Sequence, residues 1–439
     1  MPAAQSSIER PAGLGRDAAA EADGPLRRTG LSALLAAHAR SHPARIAFTD
    51  AADKPVWSGR PAMTWTYGTA TEIVARLARG FRGWRLPPGS RIGLWFPGST
   101  EGLVAHLAVE AAGHVPCPMP PAWTEAQAAS GIAAAGLAAV LTQARLGAAR
   151  PAESLCRIAA GYYGLRYLAA FGPDVPDGVI NLDALALDRS GGGDRAGPVP
   201  ESGGGLAGFA RGDPSRPVER PGDALLAAIA VHLVAARIAP AERILTLLPP
   251  SDLRGIVTGL GAALLAGAAL ETMPVFDGAG LADALARPVP THLVAPGFLE
   301  PALAALDLPD SVRSLVLAHR APIRLGPRSP HHVHGPHVLD ALALDEDALL
   351  SGRRGADDLA LTLVEPGRLP LPPALLGLRR EPDGRLALQG QACKAAPLRR
   401  GESTGKATGK ITPGQTGDFR ASGFRIELFA GTAIGVIEA

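Results

Sequence analysis

The chain has 439 residues, of which 47% are hydrophobic, and its 43 Lys plus Arg against 41 Asp plus Glu give a formal net charge of +2. This apolar content is enough for one or two large cores and excludes a disordered polymer as the overall structure. Because the charges nearly balance, there is no broad electrostatic reason for binding nucleic acid or an anionic membrane, and we expect neither partner.

Cysteine usage and N-terminal composition favour a cytoplasmic location. Cys117, Cys156 and Cys393 are far apart and form no CxxC pair, so we expect neither a zinc site nor a disulfide framework, and a reducing compartment. Residues 1–30 contain no apolar run typical of a signal peptide and are predicted to be a disordered tail. The most apolar stretch, 256–270, is shorter than the roughly 20 residues that a spanning helix needs. We therefore predict a buried helix there and no transmembrane segment.

From Leu31 to Thr142 the hydrophobic pattern alternates between helical and strand periodicity. In chain order we predict a helix in "LSALLAAHARSHP", a strand in "RIAFTD", a helix in "TATEIVARLARGFRGW", a strand in "RIGLWFPG", a helix in "EGLVAHLAVEAAG" that ends at Gly113, and a strand in "AAVLTQ". Regular alternation of helices and strands is typical of α/β proteins, so we expect parallel strands.

A second run of alternating elements follows the stretch from Leu187 to Gly205, whose Gly, Pro and charge content predicts a flexible linker. It comprises a helix in "GDALLAAIAVHLVAARIAP" capped by Asp223, a strand in "RILTLLPP", the helix 256–270, a strand and helix in "THLVAPGFLEPALAAL", and a strand in "SVRSLVLAH". The C-terminal part is richer in strand signals, with a hairpin predicted in "GLRREPDGRLALQG" around Asp383 and Gly384.

These patterns predict an α/β fold with two similar lobes of parallel-rich sheet flanked by helices, and a smaller β-rich lobe. The predicted division is a tail at 1–30, a first lobe at 31–205, a second lobe at 206–345 and a β-rich lobe at 346–439. No internal sequence repeat is evident.

Several strings resemble a known family. The segment "LLAAHARSHPARIAFTD", the segment "TWTYGTATEIVARLARGF" with its Thr66 and Tyr67 pair, and the segment "ILTLLPPSDLRGIVTGLGAALLAGAALETMPVFD" are similar to the large N-terminal domain of AMP-forming acyl-adenylating enzymes. This family includes acyl-CoA synthetases and fatty-acyl-AMP ligases. The resemblance implies that domain's fold, ATP and Mg²⁺ as cofactors, and a fatty or aryl carboxylate as substrate. It extends from Leu31 to about Gly435, and the matching strings carry the fold rather than catalysis.

The family's nucleotide loop reads S/T-S-G-T-T-G-x-P-K-G, and this chain departs from it. Laid on "ARGDPSRPVE", the pattern keeps Gly212 and Pro217 as candidate cofactor-binding residues, but it puts Asp213 and Pro214 at the Thr positions and Val218 at the Lys. Proline has no N–H to offer a phosphate, and two like charges 4 Å apart repel by about 4 kcal/mol at an effective dielectric near 20. The sequence therefore predicts that this loop does not hold ATP.

Other family motifs are changed as well. The family's Y-G-x-T-E falls on "LALDE", where only the acid is kept, as Glu346, a candidate Mg²⁺ contact. The central segment offers Asp252, in "PSDLRG", where the family often has a His. The resemblance thus leaves one candidate catalytic residue, Glu346.

Two alignments of the ribose motif stay open. A T-G-D sequence makes Thr416 and Asp418 candidate ribose-binding residues, because a carboxylate can accept two sugar hydroxyls. The alternative places the family's Thr-Gly-aromatic on Ser422, Gly423 and Phe424.

The family continues past this region with a small mobile domain that bears a catalytic lysine, whereas this chain ends at Ala439. We expect that domain to be absent, with a separate small domain or an acyl carrier protein as candidate partners. Lys406 and Lys410 precede the expected hinge and are predicted to lie in a solvated loop. The tract "HHVHGPH", from His331 to His337, could hold zinc or nickel but contains no carboxylate, and a surface loop before the strand "VLDALAL" is the simpler interpretation.

Two classes of function remain open from sequence alone. One is an AMP-dependent synthetase or ligase that activates a carboxylic acid and is catalytically impaired on its own. The other is a non-catalytic protein that keeps the scaffold and binds an acyl group or a partner protein. The changed motifs favour the second hypothesis and the resemblance favours the first, since a fold does not fix a function.

Overall fold

A computed structural model describes residues 30–188, 205–325, 335–355, 358–369, 371–398, 419–429 and 434–439. The predicted tail, apart from Gly30, and residues 189–204 of the predicted linker lie outside this part of the chain. Seven residues named above also lie outside it: His331, His332, His334, Lys406, Lys410, Thr416 and Asp418.

The strands alternate with helices along most of the chain. The strands are β1 (Ile46–Asp50), β2 (Thr64–Thr66), β3 (Arg91–Trp95), β4 (Val115–Pro118), β5 (Ala139–Gln143), β6 (Tyr167–Phe171), β7 (Ile180–Asn181), β8 (Gly205–Phe209), β9 (Pro217–Pro221), β10 (Arg243–Thr246), β11 (Ala269–Thr272), β12 (Thr291–Pro296), β13 (Val312–Arg320), β14 (Ile323–Leu325), β15 (His337–Leu344), β16 (Ala348–Arg353), β17 (Gly377–Arg380), β18 (Arg385–Gln389), β19 (Ala396–Pro397), β20 (Arg420–Leu428) and β21 (Ile434–Glu438).

Most helices are short, and the longer ones cover the sheets. The helices are α1 (Leu31–Ser41), α2 (Lys54–Ser58), α3 (Tyr67–Gly83), α4 (Thr100–Ala111), α5 (Glu125–Ala135), α6 (Pro151–Gly161), α7 (Leu182–Leu187), α8 (Gly222–Ala236), α9 (Leu253–Gly255), α10 (Ala262–Ala266), α11 (Gly278–Leu285), α12 (Glu300–Ala304) and α13 (Leu359–Val364). Helix α9 continues into α10 through π-helical turns at Ile256–Gly261. Within the described residues, no helix is both long and apolar enough to span a bilayer.

The larger sheet has the strand order β16, β15, β13, β12, β10, β11, β1, β2. All neighbours from β15 to β1 are parallel, and only the edge strands β16 and β2 pair antiparallel. Its inner strands are buried on both faces, which is why they read as continuous apolar runs rather than as alternating ones. Their carboxyl ends meet at one edge, which we call the carboxyl edge.

The second sheet is entirely parallel, with the order β4, β3, β5, β6, β7. Helix α4 is buried on nearly all sides. One continuous core includes Phe48 and Leu270 of the larger sheet, Leu141 of the second sheet, and Phe81 and Leu107 of the helices α3 and α4. The two parallel sheets therefore share one hydrophobic core.

Antiparallel strands form two smaller sheets, one with the order β14, β21, β20, β18, β17 and one with the order β19, β9, β8. The predicted hairpin is present as β17 and β18, and Gly384 takes a φ of +85° in its turn. A positive φ is readily adopted by glycine, so the Asp383-Gly384 signal is confirmed.

The predicted fold class is confirmed, but several details differ. Strands β1 and β2 lie in the first predicted lobe yet complete the larger sheet, and β14 joins a sheet with β21. Sheet membership therefore crosses the predicted boundaries at 205 and 345. The stretch 256–270 is not one helix, because Gly267 takes a φ of +74° after Ala266 and β11 follows.

The predicted cap at Asp223 is wrong. Helix α8 begins at Gly222 after Pro221, and no side chain caps it. The Asp223 carboxylate instead accepts the N–H of Ala224 at 2.9 Å and the side-chain amide of Gln391 at 2.5 Å. The chain turns from β9 straight into the helix, so Asp223 falls in the first helical turn.

Candidate functional site

The loop 210–216, which we call the hairpin loop, joins the antiparallel strands β8 and β9 and lies over the carboxyl edge. Arg211 has a φ of +56° and Gly212 a φ of +69°, so two consecutive residues take left-handed backbone geometry. This geometry is strained for Arg211, because its side chain crowds the backbone there.

The backbone donors of the hairpin loop are already used within the protein. Five of its N–H groups are bonded: Ala210 to the carbonyl of Arg216, Arg211 to Asp345 Oδ1, Asp213 to the carbonyl of Ala210, Ser215 to Asp213 Oδ1, and Arg216 to the carbonyl of Asp213. Pro214 has no N–H. At most the N–H of Gly212 is left for a ligand, although anion-binding loops work by pointing several such groups outward.

The turn between β15 and β16 holds three successive carboxylates, at Asp345, Glu346 and Asp347. Asp345 also has a positive φ, of +56°, and its Oδ1 accepts the N–H of Arg211 at 2.7 Å. Its Oδ2 lies 3.7 Å from Arg211 Nε and 3.6 Å from Arg216 Nη2. Two strained residues from different elements thus bind each other.

Side chains fix the hairpin loop further. The guanidinium of Arg211 forms an ion pair with Glu438 and lies 5.5 Å from the centre of the Phe424 ring. The indole N–H of Trp123 donates to the carbonyl of Gly212 at 3.0 Å. The loop is therefore closed onto the protein from three sides.

Asp252 lies where α9 begins and is shared by two arginines. Its Oδ2 accepts from Arg254 Nη2 at 2.7 Å and from Arg320 Nη2 at 2.6 Å. Burial alone would raise the pKa of the Asp252 carboxyl, but these two guanidinium groups hold it below its usual range. A single ionised carboxylate thus faces two cations.

Glu346 is buried beside Arg320. Its carboxyl group accepts the N–H of Leu253 at 3.1 Å, and its Oε1 lies 4.0 Å from Arg320 Nη2. Burial raises the pKa of Glu346 to about 8, and the negative charge of Asp252 adds to the rise. At neutral pH Glu346 is therefore mostly protonated.

The structure brings two of the candidate residues together. A Cβ placed on Gly212 would lie 3.9 Å from Arg320 Nη1, and Glu346 approaches the same guanidinium. Pro217 begins β9, where its carbonyl accepts the N–H of Leu398 at 2.9 Å. It therefore serves the small antiparallel sheet.

The ribose candidates Thr416 and Asp418 lie outside the described residues. Of the alternative set, Gly423 has a φ of +75° within β20, and the ring of Phe424 lies under Arg211. The alternative alignment therefore places an aromatic residue beside the hairpin loop, while the first alignment stays a prediction.

Sequence reasoning missed the arginines at this edge. Arg320 is the last residue of β13, in "SLVLAHR". A cation at the end of a buried apolar strand was the sequence signal that could have identified it as a candidate site residue. Arg220, in β9, is also buried, and it donates to the backbone carbonyls of Glu346 and Asp347 at 2.5 and 2.9 Å. Six residues form what we call the arginine cluster: Arg211, Asp252, Arg254, Arg320, Asp345 and Glu346.

The residues present do not fit Mg²⁺. This ion needs octahedral oxygen ligands at about 2.1 Å, usually with one or two ionised carboxylates. Asp252 Oδ2 is already bonded to two arginines, and burial together with the charge of Asp252 raises the pKa of Glu346 and so disfavours its ionised form. A dication 4 Å from the Arg320 guanidinium would be repelled by roughly 8 kcal/mol at an effective dielectric near 20. In the described residues, no group of three or more His, Cys, Asp or Glu side chains could hold a metal.

The hairpin loop does not fit a triphosphate either. Its backbone donors are bonded internally, and Asp213 adds a carboxylate whose pKa is lowered by hydrogen bonds from Ser215. The loop has no lysine and no free backbone nest, and its two cations, Arg211 and Arg216, already face Asp345, which reduces the charge they can offer to several phosphates.

A second buried ionic cluster, which we call the junction network, lies between the two parallel sheets. It consists of Asp50, Lys54, Arg60, Glu101 and Asp183. Lys54 is fully buried and donates to Asp50 Oδ2 at 2.5 Å and to Glu101 Oε1 at 2.6 Å. Arg60 donates to Glu101 at 2.9 Å and to both oxygens of Asp183, at 2.6 and 2.8 Å.

Two surface cavities share no lining residue with the arginine cluster. One, of about 250 Å³, is lined by residues of 308–313 and 335–337, and the other, of about 490 Å³, by residues of 381–387 together with Phe419 and Ala421. The chemistry of the arginine cluster is therefore not explained by these cavities.

Comparison with known proteins agrees with the fold. Residues 35–164 match the family model of AMP-binding enzymes. A benzoate CoA ligase from Burkholderia xenovorans LB400 has a similar structure, with a TM-score of 0.68 and 18% identity over 93% of this chain and 80% of that one. No curated protein sequence matches the chain.

Two further solved structures are similar. One is ATP-bound MatB from Rhodopseudomonas palustris, with a TM-score of 0.62 and 17% identity over 93% of this chain and 79% of that one. The other is the N-terminal domain of FACL13 from Mycobacterium tuberculosis, with a TM-score of 0.62 and 15% identity over 93% of this chain and all of that one. At such identities the likeness establishes the fold. The chain therefore has the fold of these solved structures, and residues 35–164 match the AMP-binding family model.

Proposed function

We propose that this chain does not activate carboxylic acids with ATP on its own, and that it works as a binding protein on the adenylating scaffold, with a fatty or aryl carboxylate as its ligand. A reducing, cytoplasmic location is part of the proposal, and the three free thiols support it.

The observation that carries the proposal is the internal use of the hairpin loop's donors. Five of its seven residues have their N–H groups bonded within the protein, and Pro214 has none. Adenylation requires the phosphates of ATP to be held while a carboxylate attacks, so its catalysis depends on positioning and charge stabilisation. A loop that leaves at most the N–H of Gly212 free provides neither.

The charges at the carboxyl edge support a carboxylate as the ligand. Arg254 and Arg320 share Asp252, so guanidinium groups outnumber ionised carboxylates there. Arg211 and Arg216 share Asp345, and Arg211 also pairs with Glu438, which leaves Arg216 with Asp345 as its one ion-pair partner among the described residues. The side chain of Arg216 is 52% exposed. A planar guanidinium binds a carboxylate through two parallel hydrogen bonds, which is a suitable geometry for recognising a carboxylic acid.

Calorimetric titration tests both parts. We expect MgATP to bind with a dissociation constant weaker than about 100 µM, which corresponds to about 5 kcal/mol. We expect benzoate or a medium-chain fatty acid to bind without ATP or Mg²⁺, and Arg216→Ala to weaken that binding several-fold. MgATP binding tighter than the stated limit would overturn the proposal.

Val218→Lys is the matched control for the nucleotide loop. It restores the family's lysine by sequence position but leaves the backbone donors of the hairpin loop bonded, so this variant should still fail to exchange pyrophosphate into ATP. If the single lysine restored exchange, the loss of that side chain, and not the use of the backbone donors, would explain the inactivity.

A second candidate function is ATP-dependent acid activation with a small domain, or an acyl carrier protein, supplied by another chain. It is favoured by the position of Glu346, the one retained family acid, beside the hairpin loop at the carboxyl edge. Pyrophosphate exchange by the unmodified protein with a fatty or aryl acid, abolished by Glu346→Ala and by Asp418→Ala, would establish this candidate over the first.

A further inference from the structure

Arg320 occupies an unusual place in the arginine cluster. Its Nη2 is 2.6 Å from Asp252 Oδ2 and 4.0 Å from Glu346 Oε1, so one guanidinium group lies between two carboxyl groups that come from different elements. Its Nε is buried and has no hydrogen-bond acceptor among the described residues. The side chain is therefore not simply one half of a surface ion pair.

We propose that Arg320 serves as an internal cation between Asp252 and Glu346, in the place that a divalent metal ion would need, so that this cluster operates without a metal. This inference rests on the proposed function in one respect, because it takes the arginine cluster to be the binding site.

The neighbouring contacts support this assignment. Arg254 also binds Asp252 Oδ2, but among the described residues it forms no ion pair with Glu346, so Arg320 is the cation that bridges the two acids. Glu346 is held in place by the N–H of Leu253, and the carbonyl of Glu346 is held by Arg220. The two carboxyl groups are thus fixed around Arg320 by other parts of the protein, and they would remain if the guanidinium were removed.

Removing the guanidinium should therefore uncover a latent metal site. Mn²⁺ is a suitable probe, because it prefers oxygen ligands and its electron paramagnetic resonance signal separates free from bound ion. Above about pH 8, where Glu346 ionises, we expect no Mn²⁺ binding by the unmodified protein that depends on Asp252 or Glu346, and at least tenfold tighter binding by Arg320→Ala. Guanidinium ion at low millimolar concentration should compete with Mn²⁺ in that variant and raise its melting temperature relative to matched sodium chloride.

Three control variants make the test specific. Arg320→Lys keeps a cation between the acids and should bind no additional Mn²⁺, and Arg254→Ala should also bind none. The double variant Arg320→Ala with Glu346→Gln should lose the gained binding. Histidines elsewhere in the protein would bind the same amount of Mn²⁺ in every variant. The test therefore uses the difference in Mn²⁺ binding between each variant and the unmodified protein.

Two outcomes would overturn the inference: Mn²⁺ binding by the unmodified protein that is lost in Glu346→Gln, or a folded Arg320→Ala that gains none. If Arg320→Ala does not fold, the comparison of Mn²⁺ binding by the unmodified protein and by Glu346→Gln still tests the inference. This test can fail independently of the proposed function. If the unmodified protein binds Mn²⁺ at this site but does not bind ATP, only the inference about Arg320 is wrong. If it binds ATP but no Mn²⁺ at this site, only the proposed function is wrong.

Discussion

The junction network and the arginine cluster are both buried ionic groups, but they are built differently. In the junction network, Lys54 is bonded at 2.5 and 2.6 Å to two carboxylates, and Arg60 pairs with Asp183 through both of its oxygens. None of its five residues has a positive φ. In the arginine cluster, cations share carboxylates, and Arg211 and Asp345 both have left-handed backbone geometry.

The backbone geometry is the main difference between the two groups. The charges of the junction network are paired by short bonds on backbone without positive φ, and removing one partner of such a buried pair is strongly destabilising. Shifted pKa values and buried polar atoms without a partner among the described residues occur in both groups, at Glu346 and Arg320 Nε in the arginine cluster and at Asp50 and Glu101 Oε2 in the junction network. Strained dihedrals, which gather at functional sites, occur in the arginine cluster and not in the junction network. Four substitutions test this contrast.

The largest effect is expected at Lys54. Lys54→Met leaves Asp50 and Glu101 as buried carboxylates without their shared cation, and we expect a loss of about 3–5 kcal/mol in the free energy of unfolding. Urea denaturation measures it. Adding Glu101→Gln to Lys54→Met should recover part of the loss, because it removes one unpaired charge. A loss below about 1 kcal/mol would mean that the network contributes no more than a surface ion pair.

Glu346→Gln should be stabilising at alkaline pH. The pKa of Glu346 in the folded protein is raised to about 8 from 4.5, so the folded state binds more protons than the unfolded state between these values, and stability falls as pH rises through this window. Glutamine keeps an acceptor for Leu253 but cannot ionise. We expect the variant to gain on the order of 2–4 kcal/mol over the unmodified protein above pH 8, and little near pH 5.

The buried histidines make stability depend on pH in the opposite direction, in a lower pH range. Burial lowers the pKa values of His106 and His232 to about 4 from 6.5, so the unfolded state binds more protons and stability falls as pH drops from about 6.5 towards 4. Melting temperatures measured across both windows separate the two effects. An unchanged alkaline slope in Glu346→Gln would assign that slope to another group.

Asp345 tests the strained contact. Asp345→Ala loses the acceptor for the Arg211 N–H and keeps the positive φ, so we expect a loss of about 1–3 kcal/mol and faster amide exchange in the hairpin loop. Asp345→Gly is the matched control, because it loses the same acceptor but relieves the backbone strain. It should be less destabilising than alanine, and equal losses in both variants would show that strain contributes nothing.

The smallest effect is expected at Arg216. Its guanidinium is 3.6 Å from Asp345 Oδ2 and its side chain is 52% exposed. Exposed pairs of this kind contribute little, so Arg216→Ala should change the free energy of unfolding by less than about 0.5 kcal/mol. A larger loss would show that the outer rim of the arginine cluster is also structural.

Sequence reasoning predicted the elements better than their assembly. The strands β3, β5 and β10 follow apolar runs closed by turn residues, so local pattern was sufficient for them. The pairing of β1 with β11 joins residues that are distant along the chain, and no local signal specifies it. This is why the predicted lobe boundaries differ from the sheets.

The site shows the same limit. The loss of the loop lysine and the presence of Pro214 and Asp213 could be read directly from the sequence. The internal bonding of the loop could not, because Asp345 reaches Arg211 only through the fold. The place of Arg320 depends in the same way on three elements that meet at one edge, so its role needed the structure.

The pairing of β1 with β11 also sets an order of events during synthesis. Phe48 of β1 pairs with Leu270 of β11, which is about 220 residues later, and at translation rates of about 5–20 residues per second this strand waits on the order of 10–45 s for its partner. The second parallel sheet, from β3 to β7, lies wholly within that interval and can close first. Strand β2 can pair with one edge of β1 soon after its synthesis, but the edge that faces β11 stays unpaired throughout this interval. The nascent chain therefore carries an open apolar strand edge, which is a feature that chaperones recognise.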